Sequence, residues 1–122
     1  MIEVKDLDGR EMNRFYGRHL IEPLKGYAAR RGFRTVALGG LALGDDGNVW
    51  GFMDAKPGHR LKALYRYTLK LLAWARENGV NEIRVTRDRG IDTSERLLKR
   101  SGFEPYGEAD GHEIWIWRNK NG

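Results

Sequence analysis

Residues 56–65 read KPGHRLKALY: a Pro-Gly break, then the basic residues His59, Arg60 and Lys62, where a long amphipathic pattern begins. The first turn of a helix carries backbone N–H groups with no intrahelical partner, together with the positive end of the helix dipole. A helix start beside basic side chains is therefore a natural anion site. Other chemistries can be set aside. His19, His59 and His112 are scattered without paired ligand spacing, which predicts no metal site. The chain has no cysteine, so disulfides, thiolate chemistry and cysteine-ligated zinc are excluded. No Ser-centred nucleophile motif occurs, and Gly39-Gly40 lacks the following Lys-Ser/Thr of a P-loop.

Composition bounds the rest. A chain of 122 residues is expected to form one domain, residues 1–122, large enough to bury a core. Hydrophobic residues at 40% and charged residues at 32% suit a soluble globular protein. No apolar run is long enough to cross a bilayer, and MIEVKDLDGRE is unlike a secretory signal, so a cytoplasmic location without membrane insertion is expected. The net charge of +5, from 22 basic and 17 acidic residues, suits either a solubilising surface or attraction to nucleic acid, an anionic cofactor or an acidic protein surface.

The elements that must position the helix start follow from periodicity. Ile2-Glu3-Val4-Lys5 alternates as a short strand. Asp8 precedes Glu11 at capping-box spacing and predicts a helix from about Gly9. Pro23 ends or kinks that helix and suits the first turn of a second one running to about Arg31. RTVALGGLAL and VWGFMDAK flank GDDGN as a hairpin, with Gly39-Gly40 marking a bulge, a bend or close backbone approach. His59 to Asn78 reads as a long helix whose apolar face includes Leu61, Leu64, Tyr65, Leu71, Leu72 and Ala75, stopped by Asn78-Gly79. EIRVT is a strand, TSERLLKRS a short helix ended by Gly102, and the tail a hairpin about Asp110-Gly111. Trp115 and Trp117 share one face of the last strand and Ile114 and Ile116 the other, so cover on both faces is expected. The predicted order is β-α-α-β-β-α-β-α-β-β, an α/β (α+β) fold with a mixed central sheet. A right-handed β-α-β crossover makes VWGFMDA and EIRVT parallel, and a C-terminal hairpin follows.

This order, with MDAKPGHRLKALYRYTLKLLAWARENGVNEIRV and SERLLKRSGFEPYGE inside it, resembles the GNAT superfamily of N-acetyltransferases. The resemblance implies that acetyl-CoA lies where the two parallel strands splay apart, with its pyrophosphate on amides at the start of the long helix. The implied cofactor segment is His59, Arg60, Leu61, Lys62, Ala63, Leu64 and Tyr65. The family's loop places a Gln or Arg, then a Gly, then a Gly or Ala. Arg60 matches, Ala63 is tolerable, and Tyr65 stands where a small residue is wanted, so its ring must either block phosphates or turn into the core.

The family's Tyr general acid falls on Leu98, which cannot donate a proton, and its Asn falls on Ile91. No Tyr occurs from Asn78 to Gly102, leaving Tyr106 or Tyr67 as substitutes. Asp54 and Glu82 are the candidate bases, each alternatively a strand-end surface carboxylate. The resemblance extends to small degenerate members carried by bacteriophages and prophages, among them internal virion proteins of short-tailed phages, which implies a virion location as the alternative to the cytoplasm. The favoured expectation is a GNAT-like protein with an eroded site, binding acetyl-CoA weakly or not at all and working through a protein partner or a second copy of itself. The alternatives are an acetyl-CoA-dependent N-acetyltransferase acting on an amine, and a basic nucleic-acid-associated module. Arg84, Arg87, Arg89, Arg96, Lys99 and Arg100 suggest a solvated or protein-docking basic face, and no nucleic-acid motif accompanies them.

Overall fold

A computed structural model describes residues 2–16, 23–55, 64–87 and 92–119. These form β1 (Ile2–Asp6), α1 (Gly9–Tyr16), β2 (Lys25–Arg31), β3 (Arg34–Leu43), β4 (Val49–Ala55), α2 (Leu64–Glu77), β5 (Glu82–Arg87), α3 (Asp92–Arg100), β6 (Glu104–Ala109) and β7 (His112–Arg118). The strands make one mixed sheet in the order β1-β2-β3-β4-β5-β7-β6. Neighbours are antiparallel except β4 and β5, which are parallel as the crossover through α2 requires.

One expected element is corrected. The helix predicted from Pro23 to about Arg31 is strand β2, so the order is β-α-β-β-β-α-β-α-β-β. Local signals misled because neighbours on both sides decide this segment: β2 is paired with β3 from Lys25 to Arg31 and with β1 from Tyr27 to Arg31. Its small residues serve that position. Ala28 and Ala29 are buried, and a Cβ on Gly26 would lie 2.8 Å from the Gly39 carbonyl oxygen.

Close backbone approach also accounts for Gly39-Gly40. A Cβ on Gly40 would stand 2.5 Å from the Lys25 carbonyl oxygen and 2.9 Å from the Gly26 Cα, and neither is a flexible side-chain end. The bulge lies further along, where the β2–β3 register shifts between Ala29 and Arg30. Gly40→Ala is expected to cost about 1–3 kcal/mol, the range for forcing atoms into a packed interior. Urea denaturation checks this, and a variant within about 0.5 kcal/mol of wild type contradicts it.

The remaining boundaries follow local chemistry. Asp8 Oδ1 accepts the Glu11 N–H at 2.8 Å, capping α1. Helix α2 ends at Gly79 (φ +72°), with the Val80 N–H donating to Ala75. Helix α3 ends likewise at Gly102 (φ +92°), with the Phe103 N–H donating to Leu98. Both are the glycine-capped ending in which the residue after the glycine bonds five residues back. Asp110 and Gly111 have φ +52° and +80°, the left-handed pair of a two-residue hairpin turn.

The core is split by the sheet. On one face, α2 and α3 bury Leu41, Leu71, Leu72, Ala75, Ile83, Phe103, Trp115 and Trp117. On the other, α1 and the residues before it bury Leu7 and Met12 against Ala28 and Leu38, with Phe52 packed beside them. Ile116, on the face of β7 opposite the tryptophans, is also buried. Its direct neighbour Arg84 on β5 reaches the Tyr106 ring on β6, with 5.0 Å from guanidinium to centroid. Because β7 lies between β5 and β6, that stack crosses the β7 strand at Ile116. Among the described residues, no helix is long and apolar enough to cross a membrane.

Candidate functional site

The parallel strands β4 and β5 pair only at Val49–Ile83 and Trp50–Arg84 among the described residues. Beyond that rung β4 continues to Ala55 and β5 to Arg87, unpaired with each other. Val85 fills the beginning of the gap: a Cβ on Gly51 would lie 2.8 Å from its Cγ1. This parting at the carboxyl ends of parallel strands is where open α/β sheets bind ligands. Helix α2 leads back from the end of β4 and α3 follows β5, so both flank the gap on one face.

Tyr65 is the second residue of α2. It does not turn inward beside Leu72. Its hydroxyl donates to the Arg100 carbonyl oxygen at 3.4 Å, and the Arg100 guanidinium lies 4.6 Å from its ring centroid. The side chain thus ties the start of α2 to the end of α3. Leu98 packs against the core cluster beneath the two helices. Residues 56–63, including His59, Arg60, Leu61, Lys62 and Ala63, lie outside the described residues, as do Arg89 and Ile91. For Leu64 the backbone position, first in α2, is described.

The candidate acids and bases are not brought together. Asp54 is exposed near the end of β4, opposite Leu38 on the α1 face. Glu82 begins β5, at the paired end of the parallel strands, with its carboxylate 3.6 Å from Arg118 and 3.9 Å from Arg84. Tyr106 is half-exposed under Arg84, on the face of the sheet opposite the two helices that flank the gap. Tyr67 turns toward β2, its ring 5.2 Å from that of Tyr27 and capped by Lys70. Among the described residues no cluster of His, Cys, Asp or Glu could hold a metal ion.

A polar group that the sequence does not reveal stands at the far end of β5, under α3. Arg87, its side chain 9% exposed, holds Glu113 of β7 at 2.8 Å and Glu95 of α3 at 3.6 Å. Trp115 Nε1 donates to the other Glu113 oxygen at 2.9 Å. Lys99 pairs with Glu95 at 2.9 Å, and its hydrogen bond is the main cause that holds the Glu95 carboxyl below the usual carboxylate range. The expected basic face is therefore divided. Arg84 lies on one side of the sheet, while Arg87 is engaged on the other, and Arg100 covers Tyr65. Sequence carries one signal for this group: Arg87 and Glu113 become cross-strand neighbours once β5 is placed beside β7.

The sequence matches no protein-family profile and no curated protein. Its fold does match solved structures. A GNAT-family acetyltransferase from Staphylococcus aureus Mu50 superposes with a TM-score of 0.71 at 12% identity, covering 98% of this chain and 100% of that one. The ribosomal-protein-S18-alanine N-acetyltransferase from Escherichia coli gives 0.65 at 14% identity, covering 98% and 94%. The chain has the GNAT fold. A third GNAT-fold neighbour, the PaiA N-acetyltransferase from Thermoplasma acidophilum in complex with coenzyme A, gives 0.63 at 13% identity, covering 89% of this chain and 67% of that one.

The parting of β4 and β5 is present. At the start of α2, the Tyr65 phenol is tied across to α3. Leu98, partly buried, packs against the core cluster on α3's inner side.

Proposed function

We propose that this GNAT-fold protein works by binding rather than by acetyl transfer, taking up acetyl-CoA weakly or not at all and acting through a protein partner or a second copy of itself. The observation that carries this reading is the Tyr65–Arg100 bridge. The bridge joins the start of α2 to the end of α3, the helices that follow the two parted strands, and on this reading it obstructs a ligand's approach between them. Leu98 supports the same reading from the chemical side, since a leucine offers no proton to a departing thiolate. The parted strands themselves favour the second reading, an acetyl-CoA-dependent N-acetyltransferase acting on an amine.

Tyr65→Gly separates the two. Removing the ring opens the passage, at a cost in helix stability of about 1 kcal/mol. The variant is expected to gain a saturable rise in melting temperature with acetyl-CoA that wild type lacks. Equal rises in both proteins support the enzyme reading, and no rise in either removes Tyr65 as the obstruction.

A further inference from the structure

We propose that the tip of the β2–β3 hairpin, Arg31-Gly32-Phe33-Arg34, is a contact site for single-stranded nucleic acid, with the Phe33 ring stacked on a base and Arg31 and Arg34 on the neighbouring phosphates. The proposal is independent of whether acetyl-CoA binds.

The tip is displayed. Gly32 adopts φ +64° in the turn, and Phe33 beside it is 95% exposed. Ala37 pairs with Ala55, the last residue of β4, so Arg34, Thr35 and Val36 carry the hairpin beyond that strand's end by about 10 Å at ~3.3 Å per residue. A single exposed apolar residue is ordinary on a protein surface. Its flanks are not. Arg31 and Arg34 are direct cross-strand partners, both exposed. Like charges opposite one another destabilise a hairpin, and no described acidic side chain relieves this pair.

The available acid is committed one rung lower. Glu11 of α1 is buried, at 4% exposure. Its Oε1 accepts the Thr35 hydroxyl at 2.6 Å and lies 3.4 Å from Arg30 Nε. Lys5 Nζ lies 2.9 Å from Oε2, as an ion pair without hydrogen-bond alignment. Arg30 and Thr35 are themselves register partners, the rung beneath Arg31 and Arg34. The fold thus braces the hairpin directly below its tip and leaves the tip cations without an acidic partner among the described residues. A local rule broken without gain to the fold marks a site under another demand.

The chemistry of the tip selects its partner. One ring with two guanidinium groups beside it offers too little apolar surface for a stable bilayer anchor. It is also far below the roughly 800 Å² per side of a specific protein interface. A nucleic-acid strand needs neither: each base presents a face to a single aromatic ring, and each phosphate accepts a guanidinium fork. Arg10 and Arg14, exposed one turn apart on the helix that braces the hairpin, offer further cations to a strand, and the net charge of +5 attracts a polyanion.

The test is fluorescence anisotropy of 5′-fluorescein-labelled dT20 titrated with the full chain over a salt series. Wild type is expected to bind at low salt. Phe33→Ala and Phe33→Leu are each expected to weaken binding about tenfold, since leucine keeps an apolar side chain but loses the stacking ring. Arg31→Ala with Arg34→Ala is expected to reduce the slope of log K against log salt by about 1.4, or about 0.7 for each phosphate released. Unchanged melting temperatures establish that these exposed variants fold. The proposal is overturned by no binding of dT20, by wild-type affinity in either Phe33 variant, or by an unchanged salt slope. Phe33-dependent binding to phosphatidylserine vesicles in place of dT20 overturns it equally, in favour of a lipid surface.

Discussion

Replacing Trp115 by alanine is expected to destabilise the fold by about 3–5 kcal/mol, the usual cost of removing a large aromatic from a core. Trp115 is the largest of the fully buried side chains, at 1% exposure, on a strand interior to the sheet. It sits in the cluster that joins α2 and α3 to the sheet, so its loss leaves a cavity between layers rather than at an edge. The substitution also removes the indole N–H from Glu113, an effect that Trp115→Phe isolates while filling most of the volume. Chemical denaturation gives the free energies. The melting temperature is expected to fall by roughly 10–20 °C, given a few degrees per kcal/mol for a domain of this size. A loss below about 1 kcal/mol in Trp115→Ala contradicts this account of the core.

Arg87→Ala is expected to cost about 2–4 kcal/mol. Removing one partner of a buried ion pair costs the other its close counter-charge, and the value sits toward the low end because Glu113 keeps the Trp115 N–H and 24% side-chain exposure. Converting both partners, Arg87→Met with Glu113→Gln, is expected to recover most of the loss, because the glutamine carbonyl still accepts the Trp115 N–H. A double variant as unstable as Arg87→Ala contradicts the assignment of the cost to the broken Arg87–Glu113 pair. Glu95 adds a pH dependence of known sign. Its folded pKa is lowered, so its contribution is complete above the unfolded carboxylate value of about 4.3 and is lost as pH falls through the lower folded value. Glu95→Gln should therefore lower stability at neutral pH, leave low pH little changed, and so flatten the acid side of the stability profile.

The sequence foretold those parts of the fold that are written in a few adjacent residues. Asn78-Gly79, Gly102-Phe103 and Asp110-Gly111 specify their endings by local backbone chemistry, and each ends its element as expected. Strand β2 was illegible for the opposite reason: KGYAARR is held extended by partners on both edges, and Pro23 suggested a helix start that the sheet overrode. The Arg87–Glu113 group was hidden because its members are 26 residues apart and meet through a register that places β7, not β6, beside β5. Tyr65 shows the limit of periodicity. Its spacing fits the apolar stripe of α2, yet a tyrosine has a polar tip, and the Arg100 carbonyl and guanidinium draw the ring sideways to α3.

On the proposed reading, the parted strands of this GNAT-fold chain do not serve as an acetyl-CoA site of ordinary affinity. A thermal-shift titration of the wild-type protein with acetyl-CoA tests it most directly, because a ligand bound to the folded state adds RT ln(1 + [L]/Kd), about 2.7 kcal/mol at a hundredfold excess over Kd. The melting temperature is expected to stay flat as acetyl-CoA is raised to millimolar concentration. A saturable rise of several degrees at micromolar concentration would contradict it and make Tyr65 part of a working site.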